Sequence, residues 1–516
     1  MSSAVGRTAK SARNVVVSIA AQLLVIVLGF VTRTVFISEL GVAILGVNSL
    51  LTSVVAMLAL ADLGINGAVM YALYQPLRDG ETVKTAAVVH YATRMYRWVA
   101  LVVGVAGLIL TPFIHRFVRL ESDVPGLDYY YLVLLANTVV GYLLVARVQL
   151  IDADQKIYMT KAYSMVFNVL RSVAQIVSLL LWADFLLFLA IQVLFTVTNN
   201  MVVYYRAGKL FPFLKGPAPS LEAGERRSIL TSVRAMMIFR LGGLILNNSP
   251  SMLISLIVGT LALGYYSNYM LIVSSAVMIT EVSFSALTPS VGNLVAAGDR
   301  KATRRVFDEV VLLSILLHGA IAVAMVALID DFIRFWLDRS FVLPHEVVLA
   351  VVLSFYVTGT LMPMWSFRSA TGLFRSTQYV MLATAIASIA LSFTLGGAFG
   401  LVGVVVAPTL ARLLTGAWYE PWLLIRDHLA GGRRTYFLLQ IGALLLWSAL
   451  SFAALWLGDL MALGAGFSLV VKGTVLVICL PAVSWLAFGR LPAFKSLVAR
   501  GRAMLGRSPR RTGNPE

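Results

Sequence analysis

A chain of 516 residues, 59% hydrophobic and only 13% charged, has too little polar surface to stay dissolved as a globule. Its formal charge of +17 would suit a nucleic-acid binder, but the cations sit in short connections between apolar runs, which points to a membrane and excludes nucleic acid as the partner. The single cysteine, Cys479, excludes internal disulfides and cysteine-ligated metal sites.

A bilayer's hydrocarbon core is about 30 Å thick and takes about 20 helical residues to cross. In chain order, apolar runs predict spans at 14–37, 41–73, 98–114, 128–148, 158–182, 185–205 and 229–257. The series continues at 261–290, 307–329, 346–367, 377–399, 401–424, 435–457 and 465–488, which makes fourteen. The first run looks like a signal peptide, but it is too long and continues through Arg33, Thr34, Val35 and Phe36 without a small-residue cleavage site. It reads as an uncleaved span. The expected fold class is an all-α integral membrane protein with about 14 transmembrane helices.

Loop cations fall on alternate connections. One face holds groups such as Arg7, Lys10 and Arg13, then Arg300, Lys301, Arg304 and Arg305, then the basic stretch from Arg490 to Arg511. The other face holds Arg116, Arg119, Arg334 and Arg339. Cytoplasmic loops carry the excess of lysine and arginine, so both termini are expected in the cytoplasm. The basic tail from Lys495 to Arg511 is expected to lean on anionic lipid headgroups.

The longest cytoplasmic connection, about 206–228, contains Pro212, Pro217, Pro219, Gly208, Gly216 and Gly224 and has the composition of a linker. It separates six spans from six. Gly41-Val-Ala-Ile-Leu-Gly46 recurs as Gly259-Thr-Leu-Ala-Leu-Gly264 at an offset of 218, with Asn48 near the place of Asn268. Gln155-Lys-Ile-Tyr158 and Gln378-Tyr379 open the fifth and eleventh spans. An even number of spans per half makes the repeats parallel, as in many transporters. The expected division is 1–213 for one six-helix lobe, 214–427 for a pseudo-symmetric second, 428–490 for two C-terminal helices and 491–516 for the tail.

Ionisable groups in hydrocarbon are costly and usually face a cavity or a partner. Six cations fall inside spans, namely Arg33, Arg171, Arg234, Arg240, Arg412 and Lys472, and two acids sit well inside, Asp62 and Glu281. The offset of 218 sets Asp62 on Thr280, beside Glu281. This pattern suits a net-positive cavity for an anionic substrate, since the planar guanidinium fork binds two oxygens at once. The acids are candidates for counter-ions or for coupling to protons or sodium. Against this, such charges can pair internally or snorkel to an interface, a reading that fits Arg234 near its span's end and Arg33 near Glu39.

Pro250, within Asn247-Asn248-Ser249-Pro250-Ser251, is expected to bend its helix and makes these residues a candidate hinge. Pro289, Pro363 and Pro408 are further candidate kinks. The five histidines have no metal-ligand spacing, and no metal or other cofactor is expected. Asp152-Ala-Asp154 lies in a short turn without a catalytic domain around it, so it is not read as a nucleotide-sugar metal site.

Three segments carry a resemblance. One runs from Glu39-Leu-Gly-Val-Ala-Ile-Leu-Gly-Val-Asn-Ser-Leu-Leu through Ala61-Asp-Leu-Gly-Ile-Asn-Gly-Ala to Tyr71-Ala-Leu-Tyr-Gln-Pro-Leu77. The second is Ala153-Asp-Gln-Lys156 followed by Tyr158, and the third is Val258-Gly-Thr-Leu-Ala-Leu-Gly-Tyr-Tyr-Ser-Asn-Tyr269. Together they resemble the Wzx-type polysaccharide flippases of the multidrug/oligosaccharidyl-lipid/polysaccharide exporter superfamily, over about residues 12–427. That family commonly carries glutamate where this chain has Asp62.

The resemblance implies two lobes arranged as a V and movement of polyprenyl-pyrophosphate-linked oligosaccharide to the outer leaflet by alternating access. Arg240 is then the first candidate for the pyrophosphate. It also implies residence in the cell membrane beside the polymerase and glycosyltransferases of one pathway. Alternatives are a flippase for the peptidoglycan precursor and a cation-coupled drug exporter, though six in-span cations against two acids oppose the latter. A membrane glycosyl polymerase would need a larger outer loop than 115–127 or 330–345, so no enzyme is expected.

Overall fold

The computed structural model describes residues 2–59, 65–119, 124–216, 220–285, 291–292, 294–295, 298–371, 373–460 and 464–505. Among these, every regular element is helical. Backbone amides and carbonyls have no water to bond in hydrocarbon, and a helix pairs them all within one segment.

α1 (Ser2–Leu58) has 57 residues, about 85 Å at 1.5 Å per residue, which is too long for one crossing. It divides at Gly41, whose φ of 81° and ψ of 166° leave the helical region. α2 (Ile65–Arg78) and α3 (Thr82–Leu110) follow, then α4 (Leu127–Ala153), α5 (Ile157–Trp182) and α6 (Phe185–Leu210). A two-residue turn joins α5 to α6, and Asp184 caps α6 by accepting from the Leu187 amide at 2.8 Å. α7 (Ala223–Ile257) and α8 (Thr260–Ser285) meet at Gly259.

α9 (Arg300–Trp336) is opened by Asp299, which accepts from the amides of Lys301 and Ala302. α10 (His345–Thr360) and α11 (Met362–Thr371) are separated at Leu361. Pro363 sits in the first turn of α11, where its missing amide costs nothing. α12 (Phe374–Leu414) is divided at Gly400, φ 56° and ψ −132°, and contains Pro408. α13 (Gly416–His428), α14 (Arg433–Leu460), α15 (Ala465–Phe488) and α16 (Pro492–Leu505) complete the chain.

Among the described residues, eleven helical stretches are long and apolar enough to cross a membrane. Two of them, Gln22–Leu58 and Thr377–His428, contain the breaks at Gly41 and Gly400 and are each two crossings. With the more polar α7, the helices amount to the fourteen expected crossings. Several helices run past the expected spans. α3 starts at Thr82 rather than near 98, because an amphipathic segment can stay helical beyond the hydrocarbon.

The chain forms two compact units, residues 1–268 and 269–516. In the first, α4 packs against α3 and α6, α5 against α1 and α6, and α7 against α1 and α2. In the second, α9 is the hub, packed against α10, α14, α15 and α16, while α12 lies on α10 and α13. Phe307, Leu312, Ile315 and Ile333 of α9 are fully enclosed.

Lipid is as apolar as leucine, so close packing, not hydrophobicity, must hold such helices together. The first unit shows this where the two repeated segments meet. Gly46 lies against the backbone of Thr260, and Gly264 against the backbone of Val42, so closely that a Cβ on either glycine would collide with it.

Part of the basic tail is helical, over Pro492–Leu505, while residues 506–511 of it lie outside the described residues. Ser496 Oγ donates to Glu309 Oε1 at 2.7 Å, and Arg500 reaches Glu309 Oε2 at 2.9 Å, which fixes α16 to α9. Glu309 is 2% exposed there.

Candidate functional site

The helical repeat sets one polar face on α5. Ser164, Phe167, Asn168 and Arg171 recur at spacings of three and four, which brings them onto one side. Arg171 lies fourteen residues into α5, about 21 Å along it and so near mid-span. The short turn at Ala183 and Asp184 folds α6 back beside α5, so Phe195, Thr196 and Asn199 meet that face.

These seven residues line a cavity of about 140 Å³. Phe167 and Phe195 meet edge to face at 6.5 Å. Asn199 Nδ2 is directed at Asn200 Oδ1, 3.5 Å away. Arg171 Nε and Asn199 Oδ1 are both buried without a hydrogen-bond partner among the described residues. A buried donor and a buried acceptor without partners, on two residues that line one cavity, are costly unless something meets them.

The other in-span cations are placed as follows. Arg33 of α1 was expected near Glu39, but its Nη1 donates to Ser267 Oγ of α8 at 2.8 Å, and Ser267 Oγ donates in turn to the Gly264 carbonyl. Arg412 of α12 donates to Thr358 Oγ1 of α10 at 2.8 Å. Arg234 and Arg240 are exposed on α7, and no hydrogen bond or ion pair engages either among the described residues. Arg33, Arg171 and Arg412 share no partner with one another. Arg33 and Arg412 bond to hydroxyls, Arg171 shares its cavity with neutral side chains, and none of the three forms an ion pair among the described residues.

Lys472 behaves differently. Its Nζ lies 2.7 Å from Asp331 Oδ2, which also accepts from Ser468 Oγ at 2.6 Å. This ion pair ties α15 to α9 and supplies the internal partner foreseen as the alternative for such charges. Lys472 is therefore set aside as a substrate cation.

Of the acids, Glu281 is exposed on α8 and Asp62 lies outside the described residues. Pro289 lies outside them too. α7 stays helical through Pro250, and Asn248 Nδ2 donates to the Leu244 carbonyl at 2.9 Å. Asn247 is exposed beside it. The candidate hinge thus has a polar side chain bonded to the helix backbone one turn earlier, but the helix does not break there.

Counting only two in-span acids missed a buried pair. Arg368 Nη1 of α11 lies 2.9 Å from Glu420 Oε1 of α13, with side chains 5% and 7% exposed. Glu420 lies inside the expected span 401–424 and was visible as an in-span acid. Asp330 was missed as well. It accepts from Tyr269 Oη at 3.2 Å and lies 3.2 Å from His345 Nδ1. No group of histidine, cysteine or acidic side chains suited to a metal ion occurs among the described residues.

The profile of the family described as "Polysaccharide biosynthesis protein" matches residues 11–295. No curated protein matches the sequence. Among solved structures, the lipid II flippase MurJ in an inward closed conformation is similar with a TM-score of 0.65 and 11% identity, over 92% of this chain and 100% of that one. An inward-facing multidrug resistance MATE family transporter of the MOP superfamily gives 0.60 at 13% identity, over 78% and 94%. The MATE multidrug transporter DinF-BH, in complex with R6G, gives 0.52 at 19% identity, over 80% and 94%.

At such identities the likeness is one of fold. Family match, helical architecture and fold likeness agree on a multi-pass membrane protein. This multi-pass membrane protein belongs to the polysaccharide biosynthesis protein family and has the fold of MOP-superfamily transporters.

Proposed function

We propose that this protein is a flippase that carries polyprenyl-pyrophosphate-linked oligosaccharide from the cytoplasmic to the outer leaflet for surface polysaccharide assembly. The carrying observation is that Arg33, Arg171 and Arg412 lie within membrane spans with no ion pair among the described residues: Arg33 and Arg412 bond to hydroxyls, and Arg171 lines a neutral cavity. Guanidinium groups left uncompensated at that depth favour an anionic cargo. The same excess opposes a cationic drug as cargo.

In this reading the site is open first to the cytoplasm, where exposed Arg240 of α7 takes the pyrophosphate, assisted by other in-span arginines. The glycan follows the headgroup while the prenyl tail stays in lipid. A change of conformation re-exposes the site outside, and substrate drives it only by binding the two states unequally. Coupling to protons or sodium through Asp62 or Glu281 would supply the remaining bias. Both termini lie in the cytoplasm, by the distribution of loop cations. The polymerase and glycosyltransferases of the same pathway are its functional neighbours.

The test uses purified protein in proteoliposomes with a polyprenyl-pyrophosphate oligosaccharide, followed by its accessibility to a membrane-impermeant probe. Protein-dependent flipping, lost in Arg240→Ala, supports the reading. Folded protein that flips none of several such lipids overturns it. Flipping of the peptidoglycan precursor alone would reassign the cargo within the same chemistry.

A further inference from the structure

We propose that the cavity between α5 and α6 is a subsite for one acidic sugar residue of the glycan, held through its carboxylate by Arg171 and through a hydroxyl by Asn199. The proposal rests on the flippase reading for its role in transport, but the chemistry of the cavity stands by itself.

Three observations select the ligand. The first is size. A cavity of about 140 Å³ is close to the ~150 Å³ that admits one benzene ring, so it takes about one ring and not the whole oligosaccharide. The second is hydrogen-bonding sense. Arg171 Nε–H needs an acceptor and Asn199 Oδ1 needs a donor, both buried. An ionised pyrophosphate diester only accepts, whereas a sugar carboxylate accepts and its hydroxyls donate. The third is lining. Phe167 and Phe195 supply apolar walls for the C–H faces of a sugar, while Ser164, Thr196 and Asn168 offer hydroxyl and amide partners around its rim. One guanidinium matches one carboxylate in charge and in fork geometry.

The experiment has two arms. In the first, purified protein in detergent micelles is mixed with methyl glucuronide or methyl glucoside, and binding is read by saturation-transfer NMR. Wild type is expected to bind the glucuronide about tenfold or more tightly than the glucoside, the margin of a charge-assisted hydrogen bond. Arg171→Gln should lose that margin. Asn199→Asp should lose it too, because the new carboxylate occupies Arg171 and repels the ligand. Both variants must melt within a few degrees of wild type. Equal binding of the two probes to wild type, or an undiminished margin in Arg171→Gln, overturns the proposal.

In the second arm, proteoliposomes receive two lipid-linked glycans that differ only in one uronic acid replaced by a neutral hexose. The ratio of acidic to neutral flipping should fall about tenfold in Arg171→Gln. An equal proportional loss for both lipids would assign Arg171 to the pyrophosphate or to packing and sink the subsite. Wild type that flips neither lipid would defeat the flippase reading alone, and the first arm would still decide the subsite.

Discussion

Gly46 and Gly264 are the two halves of one reciprocal contact. Gly46 lies against the Thr260 backbone and Gly264 against that of Val42. Val42 and Thr260 stand 218 positions apart, and so do the two glycines. The contact is therefore self-complementary, as an isologous interface is between identical subunits. The repeat seen in the sequence is a symmetry of the packing at this seam, and each glycine is there because no side chain fits.

Because the two contacts are equivalent, Gly46→Ala and Gly264→Ala should cost about the same. Overpacking of this kind costs about 1–3 kcal/mol. Thermal unfolding in detergent should show both variants lowered and similar to each other. A large loss for one and none for the other would mean that the seam is not symmetric.

The buried pair of Arg368 and Glu420 makes a sharper prediction. Glu420→Gln strands a guanidinium in an enclosed site, which typically costs about 3–5 kcal/mol. Replacing both partners, Arg368→Met with Glu420→Leu, should recover most of that loss, because two apolar side chains need no counter-charge. Melting temperatures of the singles and the double form the cycle. A double variant as unstable as Glu420→Gln would contradict the pairing.

Lys472 should act through α15 and not through substrate. Lys472→Met leaves Asp331 buried with Ser468 as its hydroxyl partner. Asp331→Asn placed on top should relieve that burden, giving a favourable coupling of about 0.5–3 kcal/mol. Additive effects of the two substitutions would dissolve the pair.

The C-terminal helix depends on one acid. Glu309 holds both Ser496 and Arg500. Glu309→Ala should free α16 from α9, seen as faster hydrogen exchange over 492–505 with little change elsewhere in α9. Unchanged protection over that segment would show that apolar contacts alone keep it in place.

Much of the architecture was legible because the bilayer imposes it. Spans expected to part between 37 and 41 and between 399 and 401 do part, at Gly41 and Gly400. Apolar length and glycine placement are local properties, so they are visible in one dimension. The extension of α3 back to Thr82 was not seen, since His90, Arg94 and Arg97 read as loop although the helix continues beneath them. At Pro250 the helix runs on without a break, where α7 packs on α1 and α2 and Asn248 bonds to the backbone one turn earlier.

The sequence by itself determined that this chain is a membrane protein of about fourteen spans with a duplicated segment and cations inside several spans. Each of these depends on composition and spacing along the chain. Only the tertiary structure decided which cations are spent and which are open. Lys472 finds Asp331 on a helix 141 residues away, while Arg171 lines a neutral cavity within one hairpin. A charge's role depends on what faces it across a helix interface, and helix packing, not chain order, chooses that neighbour.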